Sequence, residues 1–412
     1  MKILILTQYF PPEVGAPQNR LFELAVRLKQ KGAEVTVLTA MPNYPQMEIH
    51  QQYKGKFYAF EKMNGLDVHR SWIYVSKSKG IFKRLLNYFS FVKTSFLVGW
   101  FKLGKFDYIV CESPPLFLGI TAYLLKKMKG AKLVFNVSDL WPESAEKLGL
   151  VTNKFFLRSA TKLEEFLYRK SDLISGQTQG ICENISKRFP NKKIHWMPNG
   201  VDLSYYDSTS VVSNWRKENG FEKDDFLFLY AGIIGHAQGL EVILKAAAQL
   251  KSTPQIKFIL LGSGPEKEML LALKNELKVE NVLFFNAVTK IEMPFIIADI
   301  DVAVIPLKRL DLFKGAIPSK IFENLAMKKP ILLGVEGEAK ELFIDEGKCG
   351  LAFIPEDEMD LKKKAIEFFE NREQLSQFGE NGYSYVKQKF TRDEIATKFY
   401  DFLISNHEKG DR

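Results

Sequence analysis

Short apolar runs alternate with helical patterns along the first half of the chain. The apolar runs are predicted to be buried strands, and they cover residues 3–6, 35–38, 108–111, 133–137 and 173–175. A helix is predicted from about Arg20 to Lys31, where Gly32 closes it. Because such alternation is typical of parallel βαβ units, the first half is predicted to be an α/β domain.

The second half repeats this scheme. Its predicted strands are residues 226–230, 257–261, 282–285, 302–305 and 331–333, with helices at 240–250, after Pro265 and at Pro318, and helical patterns from Met359 onward. A turn motif at 198–202 and a polar stretch at 204–213 separate the halves. Since 412 residues with 46% apolar content exceed one ordinary core, we expect domains at 1–203 and 204–387.

The cysteines and the apolar segments exclude several classes of protein. Cys111, Cys182 and Cys349 form neither a CxxC motif nor a Cys/His cluster, so we expect no disulfide framework, no zinc site and a reducing compartment. The apolar run at 3–6 is too short for a signal-peptide core. No uncharged stretch approaches the ~20 residues that span a bilayer, so a soluble or peripheral protein is expected.

The net charge of +9 is concentrated in one window. Residues 68–106 contain no Asp or Glu but carry Arg70, Lys77, Lys79, Lys83, Arg84, Lys93, Lys102 and Lys105. Aromatic and aliphatic residues recur there at helical spacing, which is typical of a helix lying on an anionic membrane surface. Lys79, Lys83, Arg84 and Lys93 are the predicted membrane-binding residues; the alternative is a solvated basic face on a helix whose aromatics enter the core.

The segment at 316–330 combines helix-start signals with charged side chains. Pro318 fixes φ, Ser319 can cap the helix, and Lys320 and Glu323 share one helix face. The preceding strand places the helix start at the carboxyl edge of a parallel sheet, where doubly wound folds bind ligands. Backbone N–H groups there attract phosphate, and a carboxylate can accept hydrogen bonds from sugar hydroxyls. The alternative is an ordinary capped helix with an exposed ion pair.

This segment resembles the Pro-Ser-Lys-x-x-Glu-x-x-Ala-x-x-x-Pro signature of family 4 glycosyltransferases, and 198–202 matches their Pro-Asn-Gly-Val-Asp hinge motif. The resemblance implies the α/β fold called GT-B, with two Rossmann-like domains whose parallel sheets face a central cleft. It also implies that the last helix, about 388–412, packs back on the first domain. The motifs at 42–45 and 139–142 resemble a bacterial subgroup that includes N-acetylfucosamine transferases of O-antigen and colanic acid assembly.

The resemblance assigns roles to particular residues. The implied donor-binding residues are Gly15, Gly232, Gly235, His236, Gly262, Gly264, Gly315, Ser319, Lys320 and Glu323. The implied catalytic residues are Asp139, Lys320 and Glu323, and the acceptor side comprises Arg20 and Asp139. Lys320 would stabilise the departing diphosphate without a metal, so neither metal nor cofactor is expected. From the residues alone, Asp139 reads better as a turn cap, His236 as a structural or surface residue, and 262–264 at least equally well as a packing turn.

The chain departs from the family pattern at four places. Ile233 and Gln238 stand where the family has an Arg and a Lys for the diphosphate, Gly315 stands where many members have a Glu, and Ser138 stands where many have a His. Glycine amides and Lys320 must therefore carry more of the diphosphate binding. Asp299 and Asp301 match a DxD metal motif, but they open a buried strand, so we expect no metal there.

The resemblance implies a retaining transferase that uses a UDP-sugar, with N-acetylfucosamine or another amino or deoxy sugar as the transferred group. The acceptor would be a polyprenyl diphosphate-linked saccharide of surface polysaccharide synthesis (O-antigen or capsule), at the cytoplasmic face of the cell membrane. One alternative is a nucleotide-sugar 2-epimerase of the same architecture, which has no use for the basic aromatic window. Another is a non-enzymatic nucleic-acid binder, which leaves Lys320 and Glu323 unexplained, so no nucleic acid is expected as a partner.

Overall fold

The computed structural model of the protein describes residues 1–13, 15–44, 46–78, 80–147, 149 and 151–407. Lys79 of the predicted membrane-binding set, Pro45 of the motif at 42–45 and the end of the predicted last helix, 408–412, lie outside the described residues. The chain forms two compact units. One consists of Met1–Asn199 with the chain from Arg392 onward, and the other of Gly200–Thr391.

The first unit is an α/β unit. Its strands are β1 (Lys2–Leu6), β2 (Glu34–Ala40), β3 (Tyr58–Met63), β4 (Leu66–Ser71), β5 (Tyr108–Ser113), β6 (Lys132–Val137), β7 (Leu173–Gly176) and β8 (Lys193–Trp196). Its helices are α1 (Ala16–Gln30), α2 (Ile81–Lys102), α3 (Leu118–Lys129), α4 (Glu143–Lys147), α5 (Lys154–Lys170), α6 (Gln179–Arg188) and the last helix of the chain, α15 (Arg392–His407). A 3₁₀ turn spans Gln51–Tyr53.

The strands of the first unit form one sheet in the order β3-β4-β2-β1-β5-β6-β7-β8. Pairing is parallel except between β3 and β4. Alternate residues of β1 enter different cores, Leu4 and Leu6 on one side and Ile3 and Ile5 on the other. Burial on both faces explains why the strand reads as an uninterrupted apolar run. The strand order reverses between β1 and β5, so their following loops diverge there.

The second unit has the same class of fold. Its strands are β9 (Phe226–Ala231), β10 (Ile256–Leu261), β11 (Val282–Phe285), β12 (Val302–Pro306), β13 (Ile331–Gly334) and β14 (Gly350–Ala352). Its helices are α7 (Trp215–Glu218), α8 (Glu241–Ala248), α9 (Lys267–Leu277), α10 (Met293–Ala298), α11 (Lys320–Ala326), α12 (Glu338–Lys340), α13 (Glu358–Glu370) and α14 (Gln374–Lys389). Turns of 3₁₀ helix span His236–Gln238 and Asp311–Gly315, and a π-helical turn spans Glu341–Glu346.

The second sheet has the order β11-β10-β9-β12-β13-β14, and all its pairs are parallel. Phe226, Phe228 and Phe258 fill its core together with apolar residues of α8 and α13. The order reverses between β9 and β12, so the carboxyl ends of these two strands form the topological switch point at which α/β sheets bind ligands. The predicted α/β class with largely parallel sheets is confirmed.

Candidate functional site

The switch point of the second unit brings Gly232 and Lys320 together. Gly232 follows β9 with a φ of 145°, and a Cβ atom at this position would lie 3.3 Å from Lys320 Nζ. The Lys320 ammonium also lies 4.7 Å from the centroid of the Tyr230 ring. Tyr230 is buried, and its hydroxyl donates a hydrogen bond to the carbonyl of Ile233 at 2.6 Å. The glycine therefore leaves room for the ammonium group directly over the backbone of the loop after β9.

Lys320 is electrostatically unusual for a lysine. Desolvation lowers the pKa of its amino group to about 8, and the nearby Glu323 carboxylate opposes this shift. Lys320 and Glu323 are both half-buried at the start of α11. At neutral pH the amino group remains mostly protonated, so the site presents a partly desolvated positive charge.

The helix that carries these two side chains is short. Ser319 occupies the N-cap position of α11 but has helical dihedral angles, φ −59° and ψ −28°. Its hydroxyl makes no capping hydrogen bond to this helix, all of whose residues the structure describes, so the predicted capping by Ser319 is wrong. Since α11 has only seven residues, Lys320 is a stronger source of positive potential than the helix dipole.

Gly262 and Gly264 pack against the same loop. A Cβ atom at Gly262 would lie 1.9 Å from the Gly232 carbonyl oxygen, and one at Gly264 would lie 2.1 Å from the Ile234 carbonyl oxygen. Any larger residue would displace the loop after β9. The packing reading of this turn therefore accounts for both glycines, which act on the loop through its backbone.

The far end of the loop carries His236. Its Nδ1 lies 2.9 Å from a Glu266 carboxylate oxygen, and both of its ring nitrogens lie 3.0 Å from Lys308 Nζ. Gly235 precedes this turn with an extended φ of −136°. Gly315 ends the 3₁₀ turn that follows β12 and is half-buried.

Asp139 of the first unit lies after β6. It accepts a hydrogen bond of 2.7 Å from the Ser144 hydroxyl, which fixes the loop to the start of α4. Burial raises the pKa of this carboxyl group, and the bond from Ser144 opposes the shift. Trp141, two residues on, packs edge-on against Phe117 and Phe156. Asp139 thus has a structural partner in addition to any ligand.

Arg20 of α1 is buried and tied to the carboxyl ends of several strands. Its guanidinium donates to Glu112 and to Gln177 at 2.5 Å, and to the Ser138 hydroxyl at 2.7 Å. Glu112 also accepts a bond from Asn136. Arg20 therefore fixes the position of Ser138, the residue next to Asp139, while its own side chain is buried.

The loop after β1 contains a buried carboxylate that the sequence did not single out. Glu13 accepts backbone hydrogen bonds from Asn43 at 2.7 Å, Tyr44 at 2.9 Å and Phe10 at 3.2 Å. These bonds join the loop after β1 to residues 43 and 44 of the loop after β2. Gly15 is extended, with φ 176°, and a Cβ atom there would meet only the flexible end of Gln18.

The basic window divides between β4, a loop and α2. In β4, Arg70 is fully buried and pairs with Glu61 at 2.5 Å, so it does not contribute to a positively charged surface. In α2, Lys83, Arg84 and Lys93 are exposed, whereas Phe91 and Val98 enter the core. The aromatics Phe82 and Phe101 are 76% and 71% exposed. Among the described residues, no helix is both long and apolar enough to cross a membrane.

Asp299 and Asp301, which match the DxD motif, accept hydrogen bonds from other residues of the second unit. Asp299 accepts hydrogen bonds from the Ser213 hydroxyl at 2.8 Å and the Arg216 amide at 2.9 Å. Asp301 accepts bonds of 2.7 Å from the Arg216 guanidinium and the Leu227 amide. The two carboxylates therefore bind α7 and the segment before it, and Asp301 also binds β9 of the sheet.

Two family models match the chain over most of its length. Residues 18–205 match the model described as Glycosyltransferase Family 4, and residues 211–385 match the model Glycosyl transferases group 1. The chain belongs to the glycosyltransferases. The recognition of this family from the motifs is thereby confirmed, and the alternatives of an epimerase or a nucleic-acid binder are set aside.

Two relatives of this glycosyltransferase are described as sugar transferases of bacteria. A protein of Escherichia coli strain K12 assigned to colanic acid biosynthesis as a glycosyl transferase, WcaI, is 28% identical over 79% of this chain and 81% of its own length. The N-acetylgalactosamine-N,N'-diacetylbacillosaminyl-diphospho-undecaprenol 4-alpha-N-acetylgalactosaminyltransferase of Campylobacter jejuni is 30% identical, over 32% of each chain.

Solved structures show the fold of this glycosyltransferase. HepE of Anabaena, in complex with UDP and glucose, superposes with a TM-score of 0.70 over 98% of this chain and 100% of its own, at 18% identity. At this identity the likeness concerns the fold, which is GT-B as the motifs predicted.

Three residues were not in the predicted sets. In the second unit, Tyr230 and Lys308 contact predicted donor-side residues, and in the first unit Glu13 joins the loops after β1 and β2. Tyr230 lies in β9, two residues before Gly232, and Glu13 lies in the loop after β1, so both had a signal in their position at the carboxyl end of a strand. Lys308 had none, because its contact with His236 joins residues 72 positions apart.

Proposed function

We propose that this glycosyltransferase transfers a sugar from a UDP-sugar to a polyprenyl diphosphate-linked saccharide during the assembly of a surface polysaccharide, with retention of configuration. In this reaction the bond between the anomeric carbon and the β-phosphate oxygen breaks. An acceptor hydroxyl oxygen bonds to the same carbon on the same face, and UDP and a proton are released. The transferred sugar is an amino or deoxy sugar such as N-acetylfucosamine, by analogy with the motif subgroup.

The observation that carries the proposal is the position of Lys320 over Gly232 at the β9/β12 switch point. Departure of UDP places negative charge on the β-phosphate, and a partly desolvated ammonium group stabilises such charge more strongly than a solvated one. The reaction is therefore proposed to need no metal. Glu323, one helical turn on, accepts hydrogen bonds from the ribose hydroxyls.

The acceptor is assigned to the first unit, where Asp139 stands at the carboxyl edge of the sheet. The description of the Campylobacter relative names a diphospho-undecaprenol acceptor, which supports a lipid-linked substrate. The exposed aromatics and cations of α2 support docking of the protein on the anionic cytoplasmic face of the cell membrane.

The decisive experiment incubates the purified protein with UDP-, GDP- and dTDP-sugars and a membrane extract, with and without EDTA. Mass spectrometry of the lipid-linked products identifies the transferred sugar, and NMR of the new linkage gives its anomeric configuration. We expect a product only with a UDP-sugar, retention of configuration and full activity in EDTA. Sugar release without a glycosylated lipid, or an inverted product, would contradict the proposal.

A further inference from the structure

The loop after β9 lacks the cationic side chains that, by the family resemblance, bind the diphosphate of the donor at this position. From Gly232 to Gly239 it contains no lysine or arginine, and Ile233 and Gln238 stand at the places where the resemblance expects them. Ile233 is 64% exposed, so an apolar side chain projects from the loop. A donor diphosphate bound here would meet the ammonium group of Lys320 at the Gly232 end, but no lysine or arginine of the loop itself.

A lysine from another loop lies against the opposite end. Lys308 follows β12 by two residues, and its amide donates a hydrogen bond to the Ala237 carbonyl at 3.0 Å. Gly239 has a φ of +58°, and a Cβ atom there would lie 3.1 Å from Lys308 Cγ. Backbone and side chain of Lys308 are thus both fixed to the loop after β9.

The ammonium group of Lys308 is held by a histidine and not by a carboxylate. Its Nζ lies 3.0 Å from the His236 ring nitrogens, and His236 itself contacts Glu266. Among the described residues, no carboxylate pairs with Lys308, whereas its neighbours Arg309 and Lys314 pair with Glu336 and Asp311. The position of Lys308 is therefore set by the loop after β9, while no carboxylate among the described residues lies within ion-pairing distance of its ammonium group.

We propose that Lys308 is a second diphosphate-binding residue for the donor, supplying from the loop after β12 the positive charge that the loop after β9 lacks. His236 is then a positioning residue for Lys308. The inference rests on the proposed function, because it takes the nucleoside diphosphate of the donor as the ligand. It follows from geometry, since Lys320 and Lys308 lie against the two ends of one loop at the switch point.

The test measures UDP and uridine binding to the full-length protein by calorimetry or equilibrium dialysis. The variants are Lys308→Ala, Lys308→Arg and, as a matched control, Lys363→Ala, which removes an exposed lysine of α13. We expect Lys308→Ala to weaken UDP binding roughly tenfold or more, as for loss of one charge-assisted hydrogen bond, with uridine binding unchanged. Lys308→Arg and the control should bind UDP within about threefold of the wild type.

Two results would overturn the inference. Unchanged UDP binding in Lys308→Ala would show that the cation does not contact the diphosphate. Equal weakening of UDP and uridine would show that Lys308 only shapes the loop. If the wild-type protein bound no UDP, the proposed donor would be wrong, and the inference about Lys308 would be wrong as well. Binding of UDP to the wild-type protein therefore distinguishes a failure of the proposed function from a failure of the inference about Lys308 alone.

Discussion

At Lys320 the protein keeps an ammonium group beside the Tyr230 ring and partly removed from water. Its pKa of about 8 makes the charge sensitive to mild alkali. Below pH 8 the amino group is protonated in the free protein, and the charge is lost as the pH rises through that value. We therefore expect kcat/KM for the donor to fall above about pH 8, since this quantity reports ionisations of the free enzyme.

Lys320→Arg provides the control, because a guanidinium group stays charged over the whole range. Its kcat/KM should be reduced by the changed geometry but should lose the decline near pH 8. Profiles of kcat/KM against pH for both proteins, measured in buffers of constant ionic strength, give the answer. The same decline in Lys320→Arg would assign it to another group.

Glu323 is expected to act on donor use and not on folding. In the proposed function the Glu323 carboxylate accepts hydrogen bonds from the ribose hydroxyls, and Glu323→Ala removes these bonds, each of which contributes roughly 1.5–3 kcal/mol. We expect kcat/KM for the donor to fall tenfold or more, with the melting temperature nearly unchanged. Glu370→Ala, an exposed carboxylate of α13, is the matched control. A folded Glu323→Ala protein with wild-type kcat/KM would exclude the role.

The residues of the site differ in how far they could be predicted. Lys320 and Glu323 lie in one motif, and their shared helix face follows from their spacing. The contacts between neighbouring loops could not be predicted in this way. Two of these contacts are Lys308 with His236 and Gly262 with Gly232. They form where the loops of different strands meet, and a local sequence pattern does not indicate which loops come into contact.

Among the elements, α1 shows how one buried pair holds several strand ends. Arg20 and Glu112 are both almost fully buried and lie 2.5 Å apart. Glu112→Ala leaves the guanidinium without its carboxylate, and breaking a buried pair in this way costs roughly 3–5 kcal/mol. We expect a loss of that size in the free energy of unfolding of the first unit.

Chemical denaturation of the full-length protein measures this loss. Glu183→Ala is the control, because it breaks an exposed pair of the same unit, Glu183 with Lys187, that is worth at most about 1 kcal/mol. UDP binding should persist in Glu112→Ala, since all the proposed donor-binding residues except Gly15 lie in the second unit. If Glu112→Ala and Glu183→Ala were equally stable, the Arg20 network would not be what secures the strand ends.

The buried parallel strands were predicted more accurately than the hairpin at the edge of the first sheet. Buried parallel strands read as apolar runs, and those at 3–6 and 282–285 match β1 and β11 closely. The hairpin β3–β4 was missed because its outer strand is half-exposed and mixes polar with apolar residues. Its turn, Asn64-Gly65, has φ values of 48° and 77° and is a recognisable hairpin signal that the sequence did carry.

For α2 the structure sharpens the membrane hypothesis. Phe91 and Val98 enter the core, while Phe82 and Phe101 remain exposed beside Lys83, Arg84 and Lys93. Replacing these three cations with Gln should remove roughly 3 kcal/mol of attraction to an anionic surface, at about 1 kcal/mol per charge. Binding to anionic vesicles should fall sharply, and activity on a lipid-linked acceptor should fall with it.

Sedimentation with anionic vesicles at low and high salt is the measurement. The control replaces three exposed lysines of the second unit, Lys217, Lys223 and Lys363, and so changes the net charge equally. UDP binding and thermal stability should remain near wild type in both variants. If the α2 variant and the control sedimented equally with the vesicles, the three cations of α2 would not be the residues that bind the membrane.

On the scale of the whole molecule, the chain leaves the first unit after Asn199 and returns to it at Arg392. The returning helix α15 contributes Ile395, Phe399 and Leu403 to the same core as β1. The Tyr108 hydroxyl donates a hydrogen bond to the Leu403 carbonyl at 2.9 Å, which ties α15 to β5. The first unit therefore completes its core only with the last part of the chain.

This dependence gives the last prediction. Phe399 is fully buried, so Phe399→Ala should lower the free energy of unfolding of the first unit by roughly 3–5 kcal/mol, a large part of the 5–15 kcal/mol that a domain has. Asp401→Ala, on the exposed side of the same helix, should change it by less than about 0.5 kcal/mol.

Hydrogen exchange read by mass spectrometry resolves the two units within one protein. In Phe399→Ala, amides of β1 and β5 should exchange faster, while those of β9 and β12 keep wild-type rates and UDP binding persists. The second unit has its own core, and all the proposed donor-binding residues except Gly15 lie in that unit. Faster exchange throughout both sheets would instead show that the units unfold together, and unchanged exchange in β1 would show that α15 does not complete the first core.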